Sequence, residues 1–157
     1  MSVFEPWNVE RANALIAEHS RSDGALLPIL HAFIEAFGYI DQAAEPLIAD
    51  ALNVSRAEVH GVVTFYHDFR RAPAGRHVLK LCRAEACQAA GSDNIAARAE
   101  RLLGIGLGAT AADGSVTLEP VYCLGLCATA PAAILDGKVI GRLDDERLDA
   151  LIAEAQR

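Results

Sequence analysis

The sequence has few of the features that mark secreted, membrane-spanning or nucleic-acid-binding proteins. No apolar run approaches the roughly 18 residues that a membrane helix requires, and the start of the chain is acidic where a signal peptide would be apolar. Lysine and arginine (14 residues) are outnumbered by aspartate and glutamate (21 residues), which gives a net charge of -7. Such a chain has no basic face to neutralise phosphates, so we expect no nucleic-acid partner. We expect a cytoplasmic protein without membrane insertion.

Motifs for hydrolysis or nucleotide binding are also missing. The five histidines are scattered, and none lies at ligand spacing from a cysteine. No serine–histidine–acid set or pair of carboxylates indicates hydrolysis. The stretch GIGLG at residues 104–108 follows a predicted helix and lacks the G-x-G-x-x-G spacing, so it predicts a helix end and a loop. Alone, the chain is expected to catalyse nothing.

The chain has only four cysteines, and they form two close pairs. Cys82 and Cys87 have the spacing C-x4-C, and Cys123 and Cys127 have the spacing C-x3-C. Disulfides are uncommon in the cytosol, where paired cysteines more often serve metal or redox chemistry. Four thiolates from two loops are the ligand set of a tetrahedral metal ion or of a 2Fe–2S cluster. The four cysteines are therefore the candidate metal and cofactor ligands.

The spacing of the pairs favours the cluster over two other kinds of site. Structural zinc sites most often use two-residue knuckles, and dithiol redox enzymes normally use C-x-x-C at a helix start. A zinc-stapled structural or adaptor module and a thiol–disulfide oxidoreductase remain as alternatives. Arg83 is the only cation beside a ligand. Because an all-thiolate cluster becomes more negative on reduction, this shortage of cations predicts a low reduction potential.

The first half of the chain is predicted to be a small helical bundle. Asp23 is the expected N-cap of the second helix, and Gly38 its end. Ser55 and Glu58 form a capping box at the start of the fourth helix. The predicted helices cover residues 9–19, 23–37, 46–52 and 55–66.

The last two predicted helices also have the pattern of a DNA-binding helix-turn-helix. Its second helix would present Arg56, His60 and Thr64, but the net charge of -7 makes attraction to phosphates weak. We therefore favour packing within the protein or against a partner. Phe65, Tyr66 and Phe69 are either ordinary core residues or an aromatic anchor for a partner subunit.

The second half of the chain is predicted to mix strands and helices. Pro73 and Gly75 break the helical pattern and indicate a linker. Strands are expected at residues 77–82 and 115–123, a hairpin turning at Asp136-Gly137, and helices at residues 92–104, capped by Ser92 or Asp93, and 144–156. The predicted fold class is α+β, with a helical domain at residues 1–72 and an α/β domain at residues 73–157.

The cysteine spacing and several longer segments resemble a known family. C-x4-C followed by C-x3-C resembles the thioredoxin-like 2Fe–2S ferredoxins, and more specifically the small iron–sulfur subunit of respiratory complex I and its relatives in NAD-reducing hydrogenases and NAD-dependent formate dehydrogenases. The resemblance extends along essentially the whole chain. It includes DGALLPILHAFIEAFGYI, GVVTFYHDF, LEPVYCLGLCATAPA and LDGKVIGRLDDERLDALI.

The resemblance implies a thioredoxin-like second domain and one 2Fe–2S cluster. It implies that Cys82 and Cys87 bind one iron and that Cys123 and Cys127 bind the other. It also implies docking against a larger iron–sulfur subunit that carries FMN and NAD. Because aromatic residues concentrate in the buried centres of interfaces, we hypothesise that Tyr66 lies at or near that subunit. The complex I and hydrogenase subunits are the alternatives within the family.

One loop is similar to a narrower group within that family. The segment Arg83-Ala84-Glu85-Ala86 between the first two cysteines is similar to the gamma subunits of soluble NAD-dependent molybdenum formate dehydrogenases. The molybdenum catalytic subunit of such an enzyme is therefore expected as a further partner.

Overall fold

The computed structural model describes residues 4–156 and divides the chain into two compact units. The first unit ends at Pro73 and the second begins at Ala74. The first contains helices only, whereas the second combines helices with a five-stranded sheet. The predicted α+β class is confirmed. Among residues 4–156, no helix is both long enough and apolar enough to cross a membrane.

The first unit consists of four helices around an apolar core. The helices are α1 (Val9–His19), α2 (Leu26–Phe37), α3 (Ala44–Leu52) and α4 (Arg56–Phe65). Helix α2 contributes several buried side chains to this core, and its Phe33 is fully buried. The ring of Trp7 packs edge-on against Phe33 at 6.0 Å and against Phe37 at 5.1 Å between ring centroids. Burial of these aromatic rings supplies much of the driving force for folding this unit.

Local capping determines where three of these helices begin or end. The Asn8 side chain accepts a hydrogen bond from the Arg11 N–H at the start of α1. Both hydrogen bonds of the predicted capping box between Ser55 and Glu58 are present at the start of α4. Helix α2 ends at Gly38, which adopts a left-handed φ of 76° as a C-cap glycine does.

The predicted N-cap of α2 is wrong. The cap position is occupied by Ala25, which has no side chain able to accept a hydrogen bond. Gly24 has a φ of 67° and separates Asp23 from the helix. The chain between α1 and α2 therefore makes a turn where the sequence pattern predicted the first residues of a helix.

A buried carboxylate links α3, α4 and the chain after α4. Glu45 lies 3.1 Å from His60 Nδ1 and 3.0 Å from Arg71 Nη2. The Thr64 hydroxyl donates to the carbonyl of His60 in its own helix at 2.8 Å. Two of the three side chains that a helix-turn-helix would present to DNA are thus hydrogen-bonded within the protein.

The second unit is built on a mixed sheet with the strand order β2-β3-β1-β4-β5. Strands β1 and β3 are parallel, and the other neighbouring strands are antiparallel. The strands are β1 (His77–Cys82), β2 (Ala109–Thr110), β3 (Val116–Val121), β4 (Ala133–Leu135) and β5 (Lys138–Ile140). The helices are α5 (Glu85–Ala89), α6 (Ser92–Leu103) and α7 (Asp145–Ala155).

Strands β4 and β5 form the predicted hairpin. Asp136 and Gly137 have φ values of 49° and 85°, as the two central residues of a type I′ turn require. The Asp136 carboxylate accepts hydrogen bonds from the Val78 N–H at 2.8 Å and lies 2.6 Å from His77 Nδ1. The turn is thereby attached to the start of β1.

Helices α6 and α7 pack against each other and both contact β1. Arg98 on α6 donates two hydrogen bonds to the Asp149 carboxylate on α7, at 2.8 and 2.7 Å. The predicted cap of α6 by Ser92 or Asp93 is wrong, because Gly91, with a φ of 94°, occupies the cap position and Ser92 is already helical. The core between the sheet and these helices includes the buried side chains of Leu79, Leu81, Leu118, Leu148 and Ile152.

We predict that Phe33→Ala lowers the free energy of unfolding of the first unit by about 3–5 kcal/mol, because it leaves a cavity in a fully buried position. Trp7 is the only tryptophan and packs on Phe33, so urea unfolding followed by its fluorescence measures the effect directly. Leu27→Ala on the same helix is the control, since Leu27 is exposed and its loss should cost about 0.5 kcal/mol or less. Equal midpoints for the two variants would contradict the assignment of Phe33 to the core.

Candidate metal centre

The two cysteine loops meet because β1 and β3 run parallel. Cys82 is the last residue of β1 and pairs in register with Val121, the last residue of β3. The carboxyl ends of parallel strands lie at the same edge of a sheet, so the loops that follow them are neighbours. The backbone N–H of Arg83 donates to the Val121 carbonyl at 2.8 Å and holds the two loop starts together.

The first cysteine pair is buried on a short helix that the sequence did not predict. Helix α5 begins at Glu85, and one helical turn brings Cys87 back to a hydrogen-bonding contact with the Cys82 thiol. Both cysteines are about 2% exposed. They pack with Ala132 in a small apolar cluster separate from the main core of the unit.

The second cysteine pair is exposed. Cys123 has a φ of 82°, which is unusual for a residue other than glycine, and Cys127 begins a 3-10 helix that ends at Thr129. The two sulfurs are 3.8 Å apart. A tetrahedral metal ion with metal–sulfur bonds of about 2.3 Å, the zinc–thiolate value, holds two thiolates at about this separation. All four cysteines are free thiols.

Backbone amides converge on the sulfur of Cys82. Burial by itself would raise the pKa of the Cys82 thiol, but hydrogen bonds outweigh it and the pKa is lowered. The donors are the backbone N–H of Ala84, the Cys87 thiol, and the backbone N–H groups of Cys123 and Leu124. Successive N–H groups that turn toward one point form an anion-binding nest. The loop of the second pair thus stabilises a thiolate of the first.

Neighbouring thiols raise the pKa values of Cys87 and Cys127. Burial raises the pKa of Cys87, and the hydrogen bond to Cys82 and the negative charges of Cys82 and Cys127 raise it further. The hydrogen bond with Cys123 and the charge of Cys123 raise the pKa of Cys127, to which Cys82 also contributes. Four thiolates this close repel one another unless cations bind them, so the set favours a positively charged centre.

The four sulfurs form two pairs instead of one tetrahedron. Between residues 4 and 156, no three His, Cys, Asp or Glu side chains are grouped closely enough to hold one metal ion. A 2Fe–2S cluster takes two protein ligands at each iron, which fits two separate pairs better than a single zinc does. Small and apolar residues, including Ala84, Leu124 and Ala130, pack around the first pair and shield it from water.

Several features of the site were not predicted. Helix α5, the left-handed Cys123 and the amide donors of Leu124 and Ala132 became visible only in three dimensions. The sequence signal for these donors is the small size of the loop residues Ala84, Ala86, Gly125 and Ala128, which lets the backbone come close to the cysteines. Tyr122 is strongly exposed beside Cys123, and nothing in the sequence distinguished it from a core aromatic.

The sequence matches the family model described as thioredoxin-like [2Fe-2S] ferredoxin over residues 12–156. The E subunit of NADH-quinone oxidoreductase from Pseudomonas aeruginosa is 40% identical over 104 residues, which are 66% of this chain and 63% of that protein. The E 2 subunit of NADH-quinone oxidoreductase from Rhizobium meliloti is 35% identical over 143 residues, covering 91% of this chain and 85% of that protein. The HndA subunit of the NADP-reducing hydrogenase from Solidesulfovibrio fructosivorans is 31% identical over 134 residues, or 85% and 78% of the two chains.

A solved structure has the same fold. A chain of an NAD+-reducing [NiFe]-hydrogenase in the air-oxidized state matches with a TM-score of 0.69 and 28% sequence identity. The match covers 83% of this chain but only 22% of the hydrogenase chain. This chain thus spans less than two thirds of the Pseudomonas protein and less than a quarter of the hydrogenase chain.

We predict opposite effects for the same substitution in the cysteine loop and in a helix. Gly125 lies between Cys123 and Cys127 with a φ of 73°, so Gly125→Ala should lower the free energy of unfolding by about 1–2 kcal/mol although there is space for the methyl group. Gly61→Ala, inside α4 with equally open surroundings, should raise it by about 0.5–1 kcal/mol. Urea unfolding followed by circular dichroism measures both. Stabilisation by Gly125→Ala would contradict the backbone conformation of the loop.

Proposed function

We propose that this chain, which belongs to the thioredoxin-like [2Fe-2S] ferredoxin family, is a one-electron carrier that works inside a larger NAD-linked oxidoreductase. The observation that carries the proposal is the meeting of two cysteine pairs at the common edge of β1 and β3. The chain binds no substrate in this scheme. Its task is to hold the cluster and to present it to a partner.

The ligands of the cluster in this proposal are the four cysteines. Cys82 and Cys87 hold one iron, and Cys123 and Cys127 hold the other. When bound, a 2Fe–2S cluster accepts or gives one electron at a time, with no bond made or broken to a substrate. The backbone N–H groups that face Cys82 lower the pKa of its thiol and so favour the thiolate form that binds iron. The apolar residues around the first pair exclude water from its side of the site.

The similar proteins support the proposal that this chain works inside a larger NAD-linked oxidoreductase. The three similar proteins are subunits of NADH-quinone oxidoreductases and of an NADP-reducing hydrogenase. We infer that this chain likewise docks on a larger iron–sulfur subunit, which carries FMN and NAD. Electrons would pass one at a time between that flavin and the cluster. In this proposal the partner subunit, and not this chain, reacts with NAD.

We further propose that the parent complex is a soluble NAD-dependent formate dehydrogenase with a molybdenum catalytic subunit. The support is the segment from Arg83 to Ala86, which is similar to the gamma subunits of those enzymes. The test is to purify the tagged chain from its native host and to identify the co-purifying subunits by mass spectrometry and their metals by elemental analysis. Molybdenum and formate-dependent NAD reduction support the proposal. Nickel, or membrane-bound quinone-linked subunits, would assign the chain to one of the alternative complexes.

A pair of exposed aromatic rings on the first unit is a candidate surface for the partner. Phe65 and Tyr66 are 73% and 44% exposed, and their ring centroids are 5.0 Å apart. Tyr66 also packs at 5.6 Å against Phe69, which is buried. Because Tyr66 packs on a buried ring, the aromatic pair is rigid and loses little side-chain entropy on binding. Aromatic residues of this kind are typical of interface hot spots. We infer that the flavin-bearing subunit covers it.

We predict that Tyr66→Ala weakens binding to the partner subunit by about 30-fold or more, the loss expected when an aromatic hot spot is truncated. Biolayer interferometry of the loaded chain against the purified partner measures the change. Leu102→Ala is the matched control, because Leu102 is similarly exposed but lies on α6. Unchanged affinity for Tyr66→Ala would remove this surface from the interface.

We predict that replacing any of the four cysteines by serine lowers the iron bound per chain from about two and removes the spectrum of the cluster. Iron and sulfide assays, optical spectra, and EPR before and after dithionite reduction measure this. Ala86→Ser is the control, since it adds a hydroxyl to the same loop without removing a ligand. The unsubstituted protein should be brown and EPR-silent until reduced.

Two other results would each overturn the electron-carrier proposal. A colourless protein that holds one zinc after anaerobic preparation would indicate a structural module. A metal-free protein with a reactive thiol of low pKa would indicate a thiol–disulfide oxidoreductase.

A further inference from the structure

Arg83 is the one basic residue inside either cysteine loop. Neither residues 82–87 nor residues 123–127 contain another lysine or arginine. The Cα atom of Arg83 follows that of Cys82 at about 3.8 Å, as consecutive residues do. The backbone N–H of Arg83 donates to the Val121 carbonyl, so the residue is fixed where β1 and β3 end.

The side chain of Arg83 is held away from solvent. It is 22% exposed, and its Nη2 donates to Asp93 Oδ1 at 2.8 Å. Asp93 is 64% exposed, so water and salt screen its charge more effectively than that of Arg83. In this ion pair the positively charged partner, Arg83, is thus the more buried, and the negatively charged partner, Asp93, is the more exposed.

The Nε–H of Arg83 has no hydrogen-bond partner. Among the described residues, only Arg83 Nε and Ser92 Oγ are buried side-chain polar atoms without one. Both belong to the corner where the loop after β1 meets α6, since Ser92 precedes Asp93. A buried N–H group of a cation that lacks an acceptor is costly, so native structures rarely keep one without a role or a further partner.

We propose that Arg83 raises the reduction potential of the cluster by holding a partly buried positive charge beside Cys82. This inference rests on the proposed ligand set. Reduction adds one electron, with no bond made or broken, and so adds one negative charge to a cluster whose proposed ligand Cys82 directly precedes Arg83. A nearby cation stabilises the reduced form more than the oxidised form, and a charge shielded from water acts more strongly than an exposed one. Asp93 positions the guanidinium through its hydrogen bond.

The test is a set of midpoint potentials measured by EPR-monitored redox titration of the loaded full-length protein. Arg83→Gln should lower the midpoint potential, while Arg83→Lys should keep it close to that of the unsubstituted protein because the charge remains. Arg101→Gln is the matched control. Arg101 is an exposed arginine on α6 whose Nε donates only weakly, at 3.4 Å, to its own helix, and its removal should leave the potential unchanged. The shift for Arg83→Gln should also persist at high salt, because a shielded charge is weakly screened.

The outcomes separate this inference from the proposed function. An unshifted potential in Arg83→Gln with an intact cluster spectrum overturns the role of Arg83, and an equal shift in Arg101→Gln does the same. If the glutamine variant does not hold a cluster, Arg83→Met keeps the apolar stem and provides a second neutral side chain. Loss of the cluster in both neutral variants but not in Arg83→Lys would assign a structural role instead. An unsubstituted protein that shows no cluster spectrum overturns the proposed function itself.

Discussion

The parallel pairing of β1 with β3 is the constraint on which the site depends. Its register places Cys82 opposite Val121, so both strands end at one edge and both cysteine loops begin there. A shift of one residue would turn Cys82 to the other face of the sheet and separate it from the loop of the second pair. Neither cysteine loop forms a site without the other, because the amides of Cys123 and Leu124 are donors to Cys82.

The two cysteine pairs differ in environment although they have the same donor atoms. Cys82 and Cys87 are buried with apolar neighbours, whereas Cys123 and Cys127 are exposed. If the four cysteines hold the cluster as proposed, solvent exposure would favour an added electron at the iron of Cys123 and Cys127, because the extra charge is better solvated there. The amide donors around Cys82 oppose this preference by stabilising charge on the buried side. With that ligand set, the balance between solvent at the second pair and oriented amides at the first would determine where the electron resides.

Features of the fold that depend on local chemistry could be predicted, and those that depend on tertiary packing could not. The capping box of Ser55 and Glu58, the end of α2 at Gly38 and the turn at Asp136-Gly137 each follow from a few adjacent residues. Helix α5 has only five residues, too few to show a periodic pattern. Two left-handed glycines account for the wrong caps: Gly24 separates Asp23 from α2, and Gly91 occupies the cap position of α6. For the site, the cysteine spacing indicated the kind of centre. The burial of one pair and the exposure of the other became evident only from the three-dimensional arrangement.

The electrostatic environment of the cysteines also could not be predicted from the sequence alone. A net charge of -7 and a shortage of basic residues near the cysteines suggest a centre that resists reduction. Most of that charge is exposed, and at physiological salt exposed charges act over only about 8 Å. The groups that matter are the few fixed in the cysteine loops and shielded from water, namely the amides that face Cys82 and the side chain of Arg83. Because burial strengthens the effect of a charge, a partly buried arginine beside a ligand can act more strongly on the cluster than a carboxylate exposed on the surface. The reduction potential of such a centre is therefore a property of the folded loops and not of the composition.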